Sequence, residues 1–280
     1  EQTPATPGYD INPAVYHYVY PPLSFLLPIP FYILAQASLG WFDVRLITVP
    51  FFLIVTFILM PSLTRSPARR LALLLLVLFN PAIVLYVAQG QNGVWAFTWL
   101  VLVLVCLKHR WFKAALLALG IGCAVKQTIW FMVPCVLVYL YQQQRPVRWV
   151  RWLVSSSTLA AAPLILTLTP YALWNWTALI SNMLGYTSGQ GTTPFPIMGY
   201  GFGQLLLNLG LLATPRDAFP FWILQLAAGI PALLAALGYQ WRTRRLASCA
   251  IGYSISLLIL MFFSRFFHDI YLIFGVTLAS

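Results

Sequence analysis

Acid is nearly missing from this chain. Five of its 280 residues are Asp or Glu, against sixteen Lys or Arg, and charged residues of both signs reach only 8%. Soluble domains are charged at about one residue in four, so a soluble globular fold is excluded. Histidine is scarce as well: His17, His109 and His268 stand far apart, and no metal-binding spacing links them. No metal and no cofactor is therefore expected. The four cysteines, Cys106, Cys123, Cys135 and Cys249, lie inside apolar segments without the paired spacing of a disulfide framework or a zinc site, and read as small core residues. No internal repeat is visible, so an inverted-repeat transporter gains no support.

Apolar residues fill the space left by charge, at 61% of the chain. They come in runs of about 20 residues, the length a helix needs to cross a hydrocarbon core. Strands of a membrane barrel would carry a polar residue at every second position, and LALLLLVLF or VWAFTWLVLVLVCL carries none. The expected fold is an all-α, multi-pass membrane bundle. A net charge of +11 does not point to nucleic acid, because twelve of the sixteen cations sit in four short clusters between apolar runs. These are Arg65, Arg69 and Arg70; Lys108, Arg110 and Lys113; Arg145, Arg148 and Arg151; and Arg242, Arg244 and Arg245. The positive-inside rule puts all four loops in the cytoplasm.

That constraint threads spans over 44–62, 71–88, 94–107, 152–169, 219–241 and 246–263. The chain reads as one transmembrane domain over 1–280, a fragment whose first span and C-terminal part lie outside it. Residues 1–42 become the tail of a first outer loop, and 170–218 a large outer loop. The apolar stretch from 20 to 39 is interrupted by Pro21, Pro22, Pro28 and Pro30, which predicts a short amphipathic or re-entrant piece at the outer interface. Lys126 is the only charge between Ala114 and Tyr141. Because both flanks of that run are basic, it is expected to form two helices meeting near Lys126 and Gln127, with the lysine carried to the outer half. Asp10, Asp43, Asp217 and Asp269 then all fall on the outer side, with Arg45, Lys126, Arg216 and Arg265. Asp43 with Arg45 reads as an interfacial anchor, Asp217 with Arg216 as a solvated pair, and Asp269 as a possible partner for Arg265.

Four outer patterns stand out: YPPL at 20–23, NPAIVLYVAQGQN at 80–92, Lys126 with Gln127, and RFFHDIY at 265–271. In this order they resemble the GT-C superfamily of integral-membrane glycosyltransferases, most nearly its bacterial polyprenyl-phosphate-sugar-dependent, mannosyltransferase-like branch. That group carries a Tyr-Pro-Pro-Leu segment, a Gly-Gln-x-Asn turn, a lysine after a small-residue helix, and a late Arg-x-His-Glu-Arg-Tyr-like turn. Here Asp269 takes the acidic place of the last motif, and Ile270 stands where arginine is frequent. The resemblance implies a GT-C-like bundle with horizontal or re-entrant outer helices in a bacterial inner membrane. It also implies transfer, with inversion, of a sugar from a polyprenyl-phosphate donor to a lipid, glycan or protein hydroxyl. The donor phosphate and sugar would be held among Lys126, Gln127, Arg265, His268, Asp269, Tyr271, Tyr20, Gln91 and Asn92. The family's catalytic carboxylate lies in the first outer loop, so the base is Asp10 or an acid upstream of residue 1. Membrane lipids are expected partners and nucleic acid is not. A transporter or lipid flippase is the rival reading, since it too buries charge among helices.

Overall fold

The computed structural model describes residues 17–190, 194–268 and 271. It is a helical bundle, and the described strands are two residues long. In chain order the helices are α1 (Leu23–Leu39), α2 (Arg45–Ser62), α3 (Pro67–Leu78), α4 (Pro81–Ala88), α5 (Gly93–Lys108), α6 (Phe112–Val125), α7 (Met132–Gln144), α8 (Trp149–Ser188), α9 (Phe202–Asn208), α10 (Phe221–Thr243) and α11 (Leu246–Phe262). Three of them, α2, α8 and α10, are long and apolar enough to cross a membrane, and α3 with α4 makes a fourth if the pair, bent by 55°, is one span.

Proline and its neighbours explain the breaks. Pro67 and Pro81 each open a helix at its first turn, where no N–H is needed, and Ser66 and Asn80 cap those turns by accepting from backbone amides. Asn80 is thus a helix cap, and the bend between α3 and α4 falls at its extended backbone. Within α1 the regular helix is interrupted at Leu27 and a second stretch begins at Pro28, so Pro22 precedes one first turn while Pro28 and Pro30 fall in the other. This piece is not amphipathic: Phe31, Tyr32, Leu34 and Leu39 are all exposed, so it is apolar on every side.

Burial concentrates on α5, which packs against α6, α2 and α11. Gly120 lets α6 meet α8 closely, since a Cβ there would lie 2.8 Å from the Pro163 ring. The break between α6 and α7 falls at Lys126, whose backbone is extended at φ −151°, and a 3-10 turn over Gln127–Phe131 follows. No proline is needed, because the Trp130 indole donates to the carbonyl of Cys123, 2.9 Å away, and satisfies one of the acceptors the break frees.

Contacts along the bundle place all four basic loops at one end. Lys108 donates to the Ser62 carbonyl at 2.8 Å, joining the first two loops, and Gln142 donates to the Trp241 carbonyl at 3.0 Å, joining the last two. Trp152 packs on Tyr141 while Ala160, eight residues further along α8, lies against Gly120 of α6. The far ends of α6 and α7 are therefore level, and the pair forms a hairpin with Lys126 at its tip. The expectation of one outer loop over 170–218 needs revision: helix continues to Ser188 through Pro163 and Pro170, with a kink at Asn175, and α9 adds about two further turns. The kink holds because the Asn175 side chain accepts from Ala178 N at 2.9 Å, replacing the lost helical bond.

Candidate functional site

Three segments converge on the tip of the α6–α7 hairpin. Lys126 is only 7% exposed, and no carboxylate of the described residues pairs with its ammonium. It donates one hydrogen bond, to Asn92 Oδ1 at 3.3 Å, and lies 5.4 Å from the centre of the Tyr20 ring. Asn92 comes from the turn between α4 and α5, and Tyr20 from the YPPL segment. The Tyr20 hydroxyl hydrogen-bonds Asn92 in turn. Gln127 donates to the Val19 carbonyl, which fastens the YPPL segment over the hairpin tip. A lysine has three donors, so this ammonium keeps two with no partner from the described residues.

Beside the cluster lies a cavity of about 530 Å³, lined by Tyr18, Tyr20, Gln89, Gln91, Asn92 and Trp95 among others. Tyr20 and Asn92 touch both the cavity and Lys126, so these two side chains separate the ammonium from the space. A second cavity of about 410 Å³ shares Tyr18, Tyr20 and Phe25, and is otherwise walled by Pro22, Tyr171, Trp174 and Leu179. An amphiphile with an anionic head and an apolar tail fits this pairing of polar turn and apolar groove. Burial raises the Tyr18 and Tyr20 hydroxyls above their usual range, which keeps both as neutral donors.

The RFFHDIY turn divides between this cluster and another place. Tyr271 is buried, packs on Phe267 and lies near Tyr20 and Tyr86, so it belongs to the lysine cluster. His268 is half-buried beside Phe266. Arg265 goes elsewhere. It is 2% exposed and its guanidinium donates to the carbonyls of Phe195, Asp217 (2.9 Å) and Pro215 (3.1 Å), which leaves two of five N–H groups. It tethers the 195–217 stretch to the strand pair Met198–Gly199 and Phe266–Phe267 (β1 and β2). Gly189, at φ +83°, lies over the guanidinium, and a Cβ there would be 2.8 Å from Cζ.

Arg265 lines a third cavity, of about 860 Å³, with Trp176, Ser181, Gln190, Trp222 and Gln225. It shares no lining residue with the cavity beside Lys126. The expected joint phosphate site of Lys126 and Arg265 is therefore corrected: long-range backbone carbonyls, invisible in sequence, claim the arginine. Tyr20, Gln91, Asn92, Lys126, Gln127 and Tyr271 do come together, while Asp10 and Asp269 lie outside the described residues.

Asp43, Arg45, Asp217 and His17 are each held by neighbours of their own. Asp43 pairs with Arg45 at 2.6 Å in the open, and the arginine's hydrogen bond holds its carboxyl down at about 2. Asp217 accepts from Thr214 and from the amides of Ala213 and Thr214, which closes its own turn. His17 stacks on Tyr186 at 4.1 Å and bonds Asn182, a packing role on α8. Sequence reasoning missed Tyr18, whose hydroxyl bonds Ser24, and the polar wall of the third cavity; the tyrosine run YHYVY was the available signal for the first. No protein-family model matches the chain, and neither a curated protein nor a solved structure matches it.

Proposed function

We propose that the chain is a membrane glycosyltransferase of the polyprenyl-phosphate-sugar-dependent kind, working at the end of the bundle opposite the basic loops, on the outer face of a bacterial inner membrane. One observation carries the reading: a buried ammonium that, among the described residues, has two donors without a partner and no paired carboxylate, held by Tyr20 and Asn92 at the edge of a cavity that shares Tyr18, Tyr20 and Phe25 with an apolar groove. Such a group calls for an anion. A lipid phosphate supplies one, and the groove takes its tail.

In the reaction, an acceptor hydroxyl attacks the anomeric carbon of the sugar. The bond from that carbon to the phosphate oxygen breaks, and polyprenyl phosphate leaves with the electron pair. Lys126 compensates the charge that grows on the leaving phosphate, and Asn92 fixes the ammonium's direction. A carboxylate must take the acceptor proton, and Asp10 or an upstream acid is assigned that part. Tyr20 and Tyr271 donate to the sugar or phosphate.

The test is direct. Purified protein in lipid vesicles is given labelled polyprenyl-phosphate sugars together with lipid, glycan and peptide acceptors that carry free hydroxyls, and transfer of label to acceptor is followed with formation of free polyprenyl phosphate. Sugar-dependent release supports the reading; no release with any donor contradicts it. The rival reading, transport, draws on the second helix break, the 55° bend between α3 and α4. Movement of intact lipid donor across the vesicle without bond cleavage would favour it.

A further inference from the structure

Three described residues other than glycine have positive φ, and all three are arginines: Arg110 at 62°, Arg145 at 43° and Arg244 at 55°. Each follows the last turn of a helix at the basic end. Their amides donate back to Leu107 (3.1 Å), Tyr141 (2.8 Å) and Gln240 (2.9 Å). This is the left-handed position where glycine or asparagine is favoured and a long side chain is strained. Topology does not require the strain, because any loop cation serves the positive-inside rule, and Lys108, Arg148, Arg242 and Arg245 already stand nearby without positive φ. Nor does the helix dipole require it, since a cation in the last turn acts equally well.

The α7–α8 and α10–α11 loops are neighbours, tied by Gln142 to the carbonyls of Gln240 and Trp241. Between them they present six exposed arginines, 145, 148, 151, 242, 244 and 245, and no acid. Under this rim lies an apolar cleft of about 170 Å³ lined by Leu137, Tyr141, Trp149, Trp152, Leu153 and Trp241. The Tyr141 ring stacks on Trp241 at 5.8 Å. The cleft touches α8 and α10, two of the helices apolar enough to cross a membrane, so a hydrocarbon chain can reach it from lipid.

We propose that this cleft and its arginine rim are a binding site for one anionic phospholipid, with the phosphate on Arg145 and Arg244 and the upper acyl chain against Tyr141, Trp152 and Trp241. Charge complementarity selects the head group: six cations without an acid favour an anionic lipid over a zwitterionic one. Planar guanidinium forks suit phosphate oxygens better than ammonium groups do. The site lies at the opposite end of the bundle from Lys126 and does not depend on the glycosyltransferase reading.

The experiment is native mass spectrometry of the purified protein titrated with phosphatidylglycerol or phosphatidylcholine. The R145G/R244G variant removes both charges while giving each cap its favoured residue, so its melting temperature in detergent should hold or rise. Its phosphatidylglycerol affinity should fall about 25-fold, roughly a factor of five for each lost cation, with phosphatidylcholine binding unchanged. Trp241→Ala should weaken binding of the anionic lipid at unchanged loop charge. The proposal is overturned if wild-type protein does not prefer phosphatidylglycerol, if R145G/R244G binds it as wild type does, or if Trp241→Ala leaves its affinity intact.

Discussion

Replacing Lys126 by Met keeps the stem that packs in the hairpin tip and removes only the charge. Two attractions are lost: a hydrogen bond from a charged donor, about 1.5 kcal/mol at its long 3.3 Å geometry, and a desolvated contact over the Tyr20 ring, about 2 kcal/mol. Against them stands the cost of holding an ammonium within an apolar helix pair, about 2.5–3.5 kcal/mol on insertion scales. The terms nearly cancel, so thermal unfolding should shift by no more than the equivalent of about 1 kcal/mol. Transfer should fall far more. Loss of a preorganised group aimed at developing charge costs about 100- to 1,000-fold in rate. The assay pairs a melting curve with initial rates of polyprenyl phosphate release from a labelled donor, at equal amounts of folded protein. A variant that melts normally and transfers at the wild-type rate would refute the phosphate role. It would leave Lys126 as a residue whose stem merely carries its charge to the surface.

Other consequences are as specific. Gly120→Ala sets a methyl against Pro163 and the Ala160 carbonyl, and should destabilise the α6–α8 contact by about 1–3 kcal/mol, read as a lower melting temperature. Cysteine at Ser188 should react with an impermeant thiol reagent on intact cells, and cysteine at Ser66 only after permeabilisation; the four native cysteines are buried and give little background. The Asp43 carboxyl is lowered from 3.8 to about 2 by Arg45, so whatever stability it adds is present above pH 4 and disappears as pH falls to 2. Asp43→Asn removes that contribution, so it should melt slightly below wild type above pH 4, neutral pH included, and converge with it as pH falls to 2, as a pH series of melting curves will report.

The parts of this architecture legible in sequence are those written in local chemistry. A charge alone in an apolar run between two basic flanks implied the α6–α7 hairpin, and Lys126 is its break. Asp43 and Arg45, two residues apart at a span end, read as an interfacial anchor, and they pair with each other in the open. The convergence of Tyr20, Gln91, Asn92 and Lys126 at one end followed from threading the loops. What sequence did not disclose depends on distant partners. Nothing near RFFHDIY says that Arg265 will be taken by carbonyls 48 to 70 residues away. Threading ended the fourth span at 169 and began a loop at 170, yet α8 accommodates Pro163 and Pro170 and bends later, at Asn175, whose side chain repairs the gap. Pro28 and Pro30 suggested a broken amphipathic piece; placed in a first turn they cost little, and α1 stays helical and apolar all round.

The central claim is that the cavity at Tyr20, Gln91 and Asn92 receives a lipid phosphate and that Lys126 is its counter-charge. A structure of the protein with polyprenyl phosphate bound tests it most directly. The account predicts a phosphate oxygen about 3 Å from Lys126 Nζ, with the tail along Phe25, Tyr171 and Trp174. A phosphate seated instead on Arg265 in the cavity lined by Trp176 and Trp222, with Lys126 still closed off by Tyr20 and Asn92, would contradict it.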